Sequence, residues 1–380
     1  MKTLKNMRRT NKTDGYGERT TGSRLNCVDL FAGAGGFSLA ANNIGLNVVA
    51  AVEWNRKACE TYRHNLIDSE EHTLYEEDIL RLEPQILFET HFTDGEDCDI
   101  LLGGPPCQGF SVHRIKGAGV DDPRNKLLLR YFEFVRELKP KVFLMENVPG
   151  MLWDRHQKFL DEFYKQGRKA KYRVYEPEIL DAQNYGVPQG RRRVFILGVR
   201  NDVDLDVNWP PKPTHGDEKA REIESDLLPL VAASSVFRDG VCKSDENSIH
   251  MNHGPDLIKA FESTPINGGS RAESGRILPC HQHHNGHKDV YGRIDPNKPG
   301  PTMTTACINP SKGRFVHPTE HHGITLRHAA RFQTFPEDFV FKGGLTASGV
   351  QIGNAVPVKL GEVLLSTISD SLKKWSLEND

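Results

Sequence analysis

The sequence predicts an α/β fold, a doubly wound and mostly parallel sheet with a smaller irregular or β-rich domain attached. Three observations predict it. Five short apolar runs without polar alternation recur between residues 26 and 200, helical periodicity fills the stretches between them, and beyond residue 200 Pro- and Gly-rich polar sequence takes over. Apolar runs that do not alternate suit strands buried on both faces. Their succession with amphipathic stretches is the βαβ rhythm of a parallel sheet. At about 150 residues per domain, 380 residues suggest two domains, each long enough to bury a core without disulfides.

The runs, in order, are Cys27–Phe31, Asn47–Trp54, Cys98–Gly104, Lys141–Val148 and Arg193–Val199, and Lys126–Leu138 is a stretch with clear helical period. Residues 1–24 are polar and basic with no apolar periodicity, which predicts a flexible tail outside the core. From about residue 201 to 324, segments such as 209–219, 267–276 and 295–305 are rich in Pro, Gly and polar residues. Regular packing is expected to return at 324–339 and in 350–372, whose last part reads as an amphipathic helix. The expected domains are therefore 25–200 completed by 345–380, and 201–344.

Composition excludes more than it names. With 49 Lys+Arg against 51 Asp+Glu the formal charge is −2, so no global positive field argues for nucleic acid and any such reading rests on local residues. No run approaches the roughly 18 apolar residues of a membrane span, and the basic start has no apolar segment of the secretory kind. A cytoplasmic protein with no membrane partner is expected. The seven cysteines (Cys27, Cys59, Cys98, Cys107, Cys242, Cys280, Cys307) are odd in number and form no C-x-x-C pair, which speaks against a disulfide framework and for a reducing compartment.

Val28–Ser38, VDLFAGAGGFS, leads a strand into a glycine turn that opens a helix, with Glu53 at the end of the next strand. That geometry seats a nucleoside at the carboxyl ends of strands, with the acid placed for ribose hydroxyls. A nicotinamide dinucleotide fits imperfectly, because Ser38 stands where G-x-G-x-x-G requires its last Gly. Trp54 is placed to stack on a base or simply to pack, and Asp78 to accept from an adenine amino group or to serve as a solvated loop acid. In Leu101–Ser111, LLGGPPCQGFS, two Gly and two Pro at a strand end fix the backbone around Cys107, a context for a nucleophile rather than core filler. Glu146, at the end of Lys141–Val148, projects into the same crevice, where partial burial would raise its pKa enough to hold a proton near neutrality. Arg191 and Arg193 are expected on one face with Arg192 on the other, a pair suited to phosphate or a base carbonyl if not a solvated basic edge. The loop 111–122, with Gly117, Gly119, Arg114 and Lys116, suits a mobile lid or a plain surface loop.

Taken in order, DLFAGAGGFS, Glu53-Trp54, Asp78-Ile79, GGPPCQGFS, ENV, QGRRR, RHAARFQTFP and QIGNAVP resemble the cytosine-C5 DNA methyltransferases over about residues 26–200 and 285–365. The resemblance implies the fold of S-adenosylmethionine-dependent methyltransferases, with S-adenosylmethionine as cofactor. Its site would be formed by Phe31, Gly33, Gly35, Gly36, Glu53, Trp54, Asp78, Ile79, Pro105, Leu127, Asn354 and Val356. It implies Cys107 as nucleophile, Glu146 at cytosine N3 and N4, and Arg193 at O2 with Arg191 close by. Gln108, Ser111, Arg124, Gln189, Thr302 and Thr304 would meet DNA, the last two within a Thr-containing recognition element. Double-stranded DNA is the implied substrate, a monomer is expected, and a cognate restriction endonuclease would act separately. His328 and His322 depart from the family's usual Glu and Arg, which puts a structural ion pair in doubt. Two alternatives carry weight. A tRNA cytosine methyltransferase would share every catalytic motif, although the long 201–324 region favours duplex DNA. The Cys280–His287 cluster invites a metal, but its spacing matches no standard zinc pattern, so none is expected.

Overall fold

The computed structural model describes residues 24–67, 69, 72–93, 95–106, 125–240, 242, 244–275 and 289–379. The tail through residue 23 and the Cys280–His287 cluster lie outside the described residues. The chain runs β1 (Asn26–Leu30), α1 (Gly36–Asn43), β2 (Asn47–Val52), α2 (Arg56–Leu66), β3 (Thr73–Tyr75), α3 (Pro84–His91) and β4 (Ile100–Gly103). It continues through α4 (Asn125–Leu138), β5 (Val142–Asn147), α5 (Gln157–Lys169), β6 (Tyr172–Val174), β7 (Glu178–Asp181) and β8 (Arg192–Arg200).

These strands form one sheet in the order β3-β2-β1-β4-β5-β8-β6, with β7 also on β8. The pairings from β3 through β5 are parallel, whereas β8 runs antiparallel to β5, β6 and β7. The apolar runs resolve into two faces because side chains alternate along a strand. Cys27, Ala51, Ile100 and Leu144 point to the face covered by α1 and α11 (Val358–Asn379), while Val28, Leu101 and Phe143 point to that of α4 and α5. On the second face Phe132 meets Phe163 edge to face at 4.8 Å and Phe143 at 5.8 Å. The sheet order reverses between β1 and β4, and a crevice outside their carboxyl ends is where such folds bind ligands.

Between β8 and residue 324 the described helices and strands are short: the two-stranded ladder of β9 (His215–Gly216) and β10 (Leu228–Pro229) with α6 (Glu218–Ile223) between them, then α7 (Ser234–Phe237) and α8 (Pro255–Ser263). This region is irregular rather than β-rich. Its interior is organised by buried arginines, whose five donors can tie several carbonyls at once. Arg293 donates to the carbonyls of Thr264, Phe261, His317 and Glu320. α9 (Leu326–Phe332) and α10 (Gly344–Asn354) then return to the sheet, and the apolar cluster on the α1 face continues unbroken through Ile294, Met303, Phe315 and Phe332.

The two departures from the family pattern meet here. His328 fills the Glu position of a capping box, its ring accepting from Thr325 N while Thr325 Oγ1 accepts from His328 N at 3.1 Å. His322 stacks on His250 with centroids 4.0 Å apart, and His317 lies between His322 and His328 at 5.5 and 5.2 Å. A stack of imidazoles thus stands where a Glu–Arg ion pair was in question. Burial, the largest cause in each case, pushes His317 down to about 4 and His328 to about 2, and His322 and His253 also downward, with neighbouring imidazoles, Arg293 and Arg331 adding to it. Unfolded imidazoles take up protons near pH 6.5 and these do so only lower, so their contribution is whole above that pH and is lost progressively below it. Thermal melts should show the midpoint falling by about 5 °C or more between pH 7 and pH 5. A flat profile over that range would contradict the assignment.

Candidate active site

The glycine turn departs from ordinary backbone at three residues. Phe31, Gly33 and Gly35 all have positive φ, 61°, 58° and 91°. A non-glycine residue there is uncommon and accumulates at binding sites. Gly36 is required by close approach, since a Cβ on it would lie 2.5 Å from the Val356 carbonyl oxygen. The C-terminal segment therefore rests against the turn. Val356 is buried there and Asn354 exposed. Among the described residues, nothing lies within 4 Å of a Cβ built on Gly33, so the turn faces open space.

Glu53 braces this turn. Its carboxylate accepts from Gly33 N at 2.8 Å, Trp54 N at 3.0 Å and Asn55 N at 2.7 Å, and burial raises its pKa against the pull of those amides. With two amides on Oε1 and one on Oε2, Oε2 retains one lone pair for a further donor, as a ribose hydroxyl would be. Trp54 is 69% exposed and has its ring free for a base. The missing glycine is explained as well. Ser38 Oγ donates to Asp29 Oδ2 at 2.6 Å and accepts from Tyr62 Oη at 2.7 Å, and burial lifts Asp29 to about 7. A glycine at position 38 would leave that buried carboxyl without its hydroxyl, a costly omission.

Asp78 lies half-buried at the turn after β3 and accepts from Leu80 N at 3.0 Å. Ile79 has its side chain in the core, and its carbonyl accepts from Arg130 Nε at 2.9 Å. Leu127 is half-buried on the first turn of α4. Pro105 is buried, its carbonyl accepting from Asn147 Nδ2 at 3.3 Å, so the end of β5 holds the strand-end loop of β4. Cys107, Gln108, Ser111 and Arg124 lie outside the described residues.

Glu146 stands beside that loop, its Oε2 3.5 Å from where a Cβ on Gly104 would be. Arg193 Nε reaches Glu146 Oε1 at 3.0 Å, with both side chains mostly shielded from solvent. Burial raises the Glu146 pKa, and the charges of Arg193 and then Arg191 oppose the rise. Burial favours the protonated carboxyl and the Arg193 charge the ionised one, so the group is placed to take up or release a proton beside a fixed cation.

Arg191 is a correction. It is fully buried and its Nη groups donate to the carbonyls of Met303 (2.8 Å), Gly353 and Ala355 (2.9 Å each), while its Nε has no partner among the described residues, so it fastens chain segments instead of joining Arg193 at Glu146. The shared-face expectation assumed a strand through residue 191, but β8 begins at Arg192. Gln189 is a second correction. It is fully buried, donating to Phe332 O at 2.6 Å and accepting from Met303 N at 2.9 Å, and cannot touch DNA. Thr302 spends its hydroxyl on Gly190 O at 2.5 Å, whereas Thr304 is exposed. Sequence reasoning missed Asn147, Asp29, Tyr62 and Gln333. The last, a polar residue within the apolar RFQTF stretch, was the one with a visible signal.

The C-5 cytosine-specific DNA methylase model matches residues 25–370. Two Type II methyltransferases are similar over most of their length: M.NgoFVII of Neisseria gonorrhoeae, 32% identical over 92% of this chain and 89% of its own, and M1.HphI of Haemophilus parahaemolyticus, 30% identical over 90% and 86%. A crystal structure assigned as a prophage DNA modification methyltransferase of E. coli superposes with TM-score 0.66 at 25% identity, covering 92% of this chain and 99% of that one. The S. pombe Dnmt2 methyltransferase, 18% identical with TM-score 0.58 over 92% and 100% of the two chains, shares the fold. A match of this extent makes the chain a member of the C-5 cytosine-specific DNA methylase family.

Proposed function

We propose that this methyltransferase acts on duplex DNA, moving a methyl group from S-adenosylmethionine to C5 of a cytosine swung out of the helix, as the protecting methylase of a restriction-modification system. The observation that carries the reading is the largely shielded Glu146–Arg193 pair at 3.0 Å beside the backbone that leads into Cys107. When bound, S-adenosylmethionine supplies an electrophilic sulfonium methyl. Gly33, Glu53, Trp54 and Val356 fit its nucleoside and methionine parts: an open turn, a carboxylate with one lone pair left on Oε2, an exposed ring and a closing backbone.

Cytosine C5 is a weak nucleophile, so the ring must first be activated. The Cys107 thiolate adds to C6 while Glu146 gives a proton to N3 and Arg193 steadies charge at O2, which leaves C5 enamine-like. After C5 takes the methyl group, leaving S-adenosylhomocysteine, a base or water takes the C5 proton as the thiolate is expelled from C6 and N3 returns its proton to Glu146, which releases 5-methylcytosine and free enzyme. A stacked base is inaccessible to these groups, so extrusion at a cost of a few kcal/mol is part of the cycle. Residues 25–200 with 345–380 would carry the chemistry and 201–344 would read DNA, Thr304 being an exposed candidate for base edges. No helix among the described residues is long and apolar enough to cross a membrane. A single chain working in the cytoplasm beside a separate nuclease fits this role.

The test is a trap. Oligonucleotides carrying 5-fluorocytosine at the target cannot complete the elimination, so a covalent adduct through Cys107 is expected with S-adenosylmethionine present. Bisulfite sequencing of DNA from expressing cells would supply the target sequence. No adduct on an oligonucleotide bearing that sequence would overturn the mechanism, and methylated tRNA with unmodified DNA would favour the RNA alternative.

A further inference from the structure

Three fully buried polar side chains, Gln189, Arg191 and Gln333, join segments that are distant in sequence. Gln333 Nε2 donates to the carbonyls of Ile352 at 2.6 Å and Ala355 at 2.8 Å, and its Oε1 accepts from Gln189 Nε2 at 2.7 Å. Gln189 Oε1 in turn accepts from Met303 N, and Arg191 spans Met303 O, Gly353 O and Ala355 O. The contacts continue at both ends. Val356 O lies against Gly36 in the glycine turn, and a Cβ on Gly353 would fall 2.3 Å from the Thr304 carbonyl and Thr305 amide, so these backbones touch. One unbroken path therefore leads from the cofactor turn, through 352–356, to the Thr302–Thr304 element.

We propose that Gln333 is a positioning residue which makes the order of residues 301–305 depend on what rests against the glycine turn. This rests on the reading that the turn binds S-adenosylmethionine. A ligand there restrains Gly36 and, by contact, Val356. Gln333 and Arg191 hold the carbonyls just before Val356 and the Met303 backbone through the same buried network, so restraint at one end lowers the entropy left to lose at the other. Segment 301–305 would then meet DNA already ordered, and each ligand would favour binding of the other. Gln333 touches neither reacting atom; it acts through Gln189 and the 352–355 backbone.

Hydrogen exchange of the full chain, with and without S-adenosylhomocysteine and without DNA, tests this. In the wild-type protein, peptides covering 31–36 and 301–305 should both slow about threefold or more on addition of the ligand. In Gln333→Met, which keeps length and bulk but has no amide, 31–36 should still respond while the response at 301–305 disappears. General destabilisation would speed exchange in both states, but it would not remove the ligand-dependent difference from one peptide alone. If Gln333→Met does not fold, Gln189→Met removes the side-chain hold on Met303 N, leaving that of Arg191 on Met303 O, and should give the same split. A 301–305 response that survives in the folded variant overturns the proposal, as does a wild-type protein in which only 31–36 responds. If neither wild-type peptide responds, the cofactor reading itself fails and the coupling falls with it.

Discussion

Cys107→Ala is expected to abolish methyl transfer while leaving S-adenosylmethionine binding intact. No other described group offers a nucleophile at this end of the crevice: Glu146 is paired with Arg193, and Asn147 is turned to the Pro105 carbonyl. Without addition at C6 the C5 position stays unreactive, so the loss should be on the order of 10⁴-fold or more in turnover. The proposed cofactor seat is the glycine turn, Glu53 and the Val356 backbone, which are held by one another's contacts. Calorimetry should accordingly find affinity within about threefold of wild type, as expected for independent sites. Normal turnover in this variant would remove Cys107 from the mechanism.

Glu146→Gln should lower kcat by about 10² to 10⁴, with DNA affinity close to wild type because the amide keeps the shape of the carboxyl. The pH profile adds a sign. Burial raises the Glu146 pKa and Arg193 holds it back. Because the protonated carboxyl is the active form, the rate is full below its folded pKa and falls as pH climbs through it. Arg193→Leu removes the restraining charge, so Glu146 should keep its proton to higher pH. The alkaline limb of kcat should then move upward even as the rate drops through loss of the O2 contact. Unchanged turnover in Glu146→Gln, or a limb that moves to lower pH in Arg193→Leu, would refute the acid role.

The sheet was legible because strands buried on both faces must be apolar throughout, and runs such as Cys27–Phe31 and Lys141–Val148 announce themselves. Glu146 was legible for a related reason, being an acid at the end of such a run. Arg191 and Gln189 were not. In sequence they are polar residues beside Arg193, with nothing to distinguish a donor aimed at substrate from one spent on carbonyls of residues 303 and 332. Ser38 read as a flaw in a dinucleotide pattern until Asp29 and Tyr62 were seen on either side of its hydroxyl.

By itself, then, the sequence determined the α/β class, the family and the order of the chemical motifs, because local periodicity and rigid Gly/Pro punctuation are written in neighbouring residues. Tertiary structure alone decided which polar side chains remain available for chemistry. The physical reason is that most buried donors are hydrogen-bonded, and the partner is whichever segment the fold brings within 3 Å, often more than a hundred residues away, as the Met303 carbonyl is brought to an Nη of Arg191.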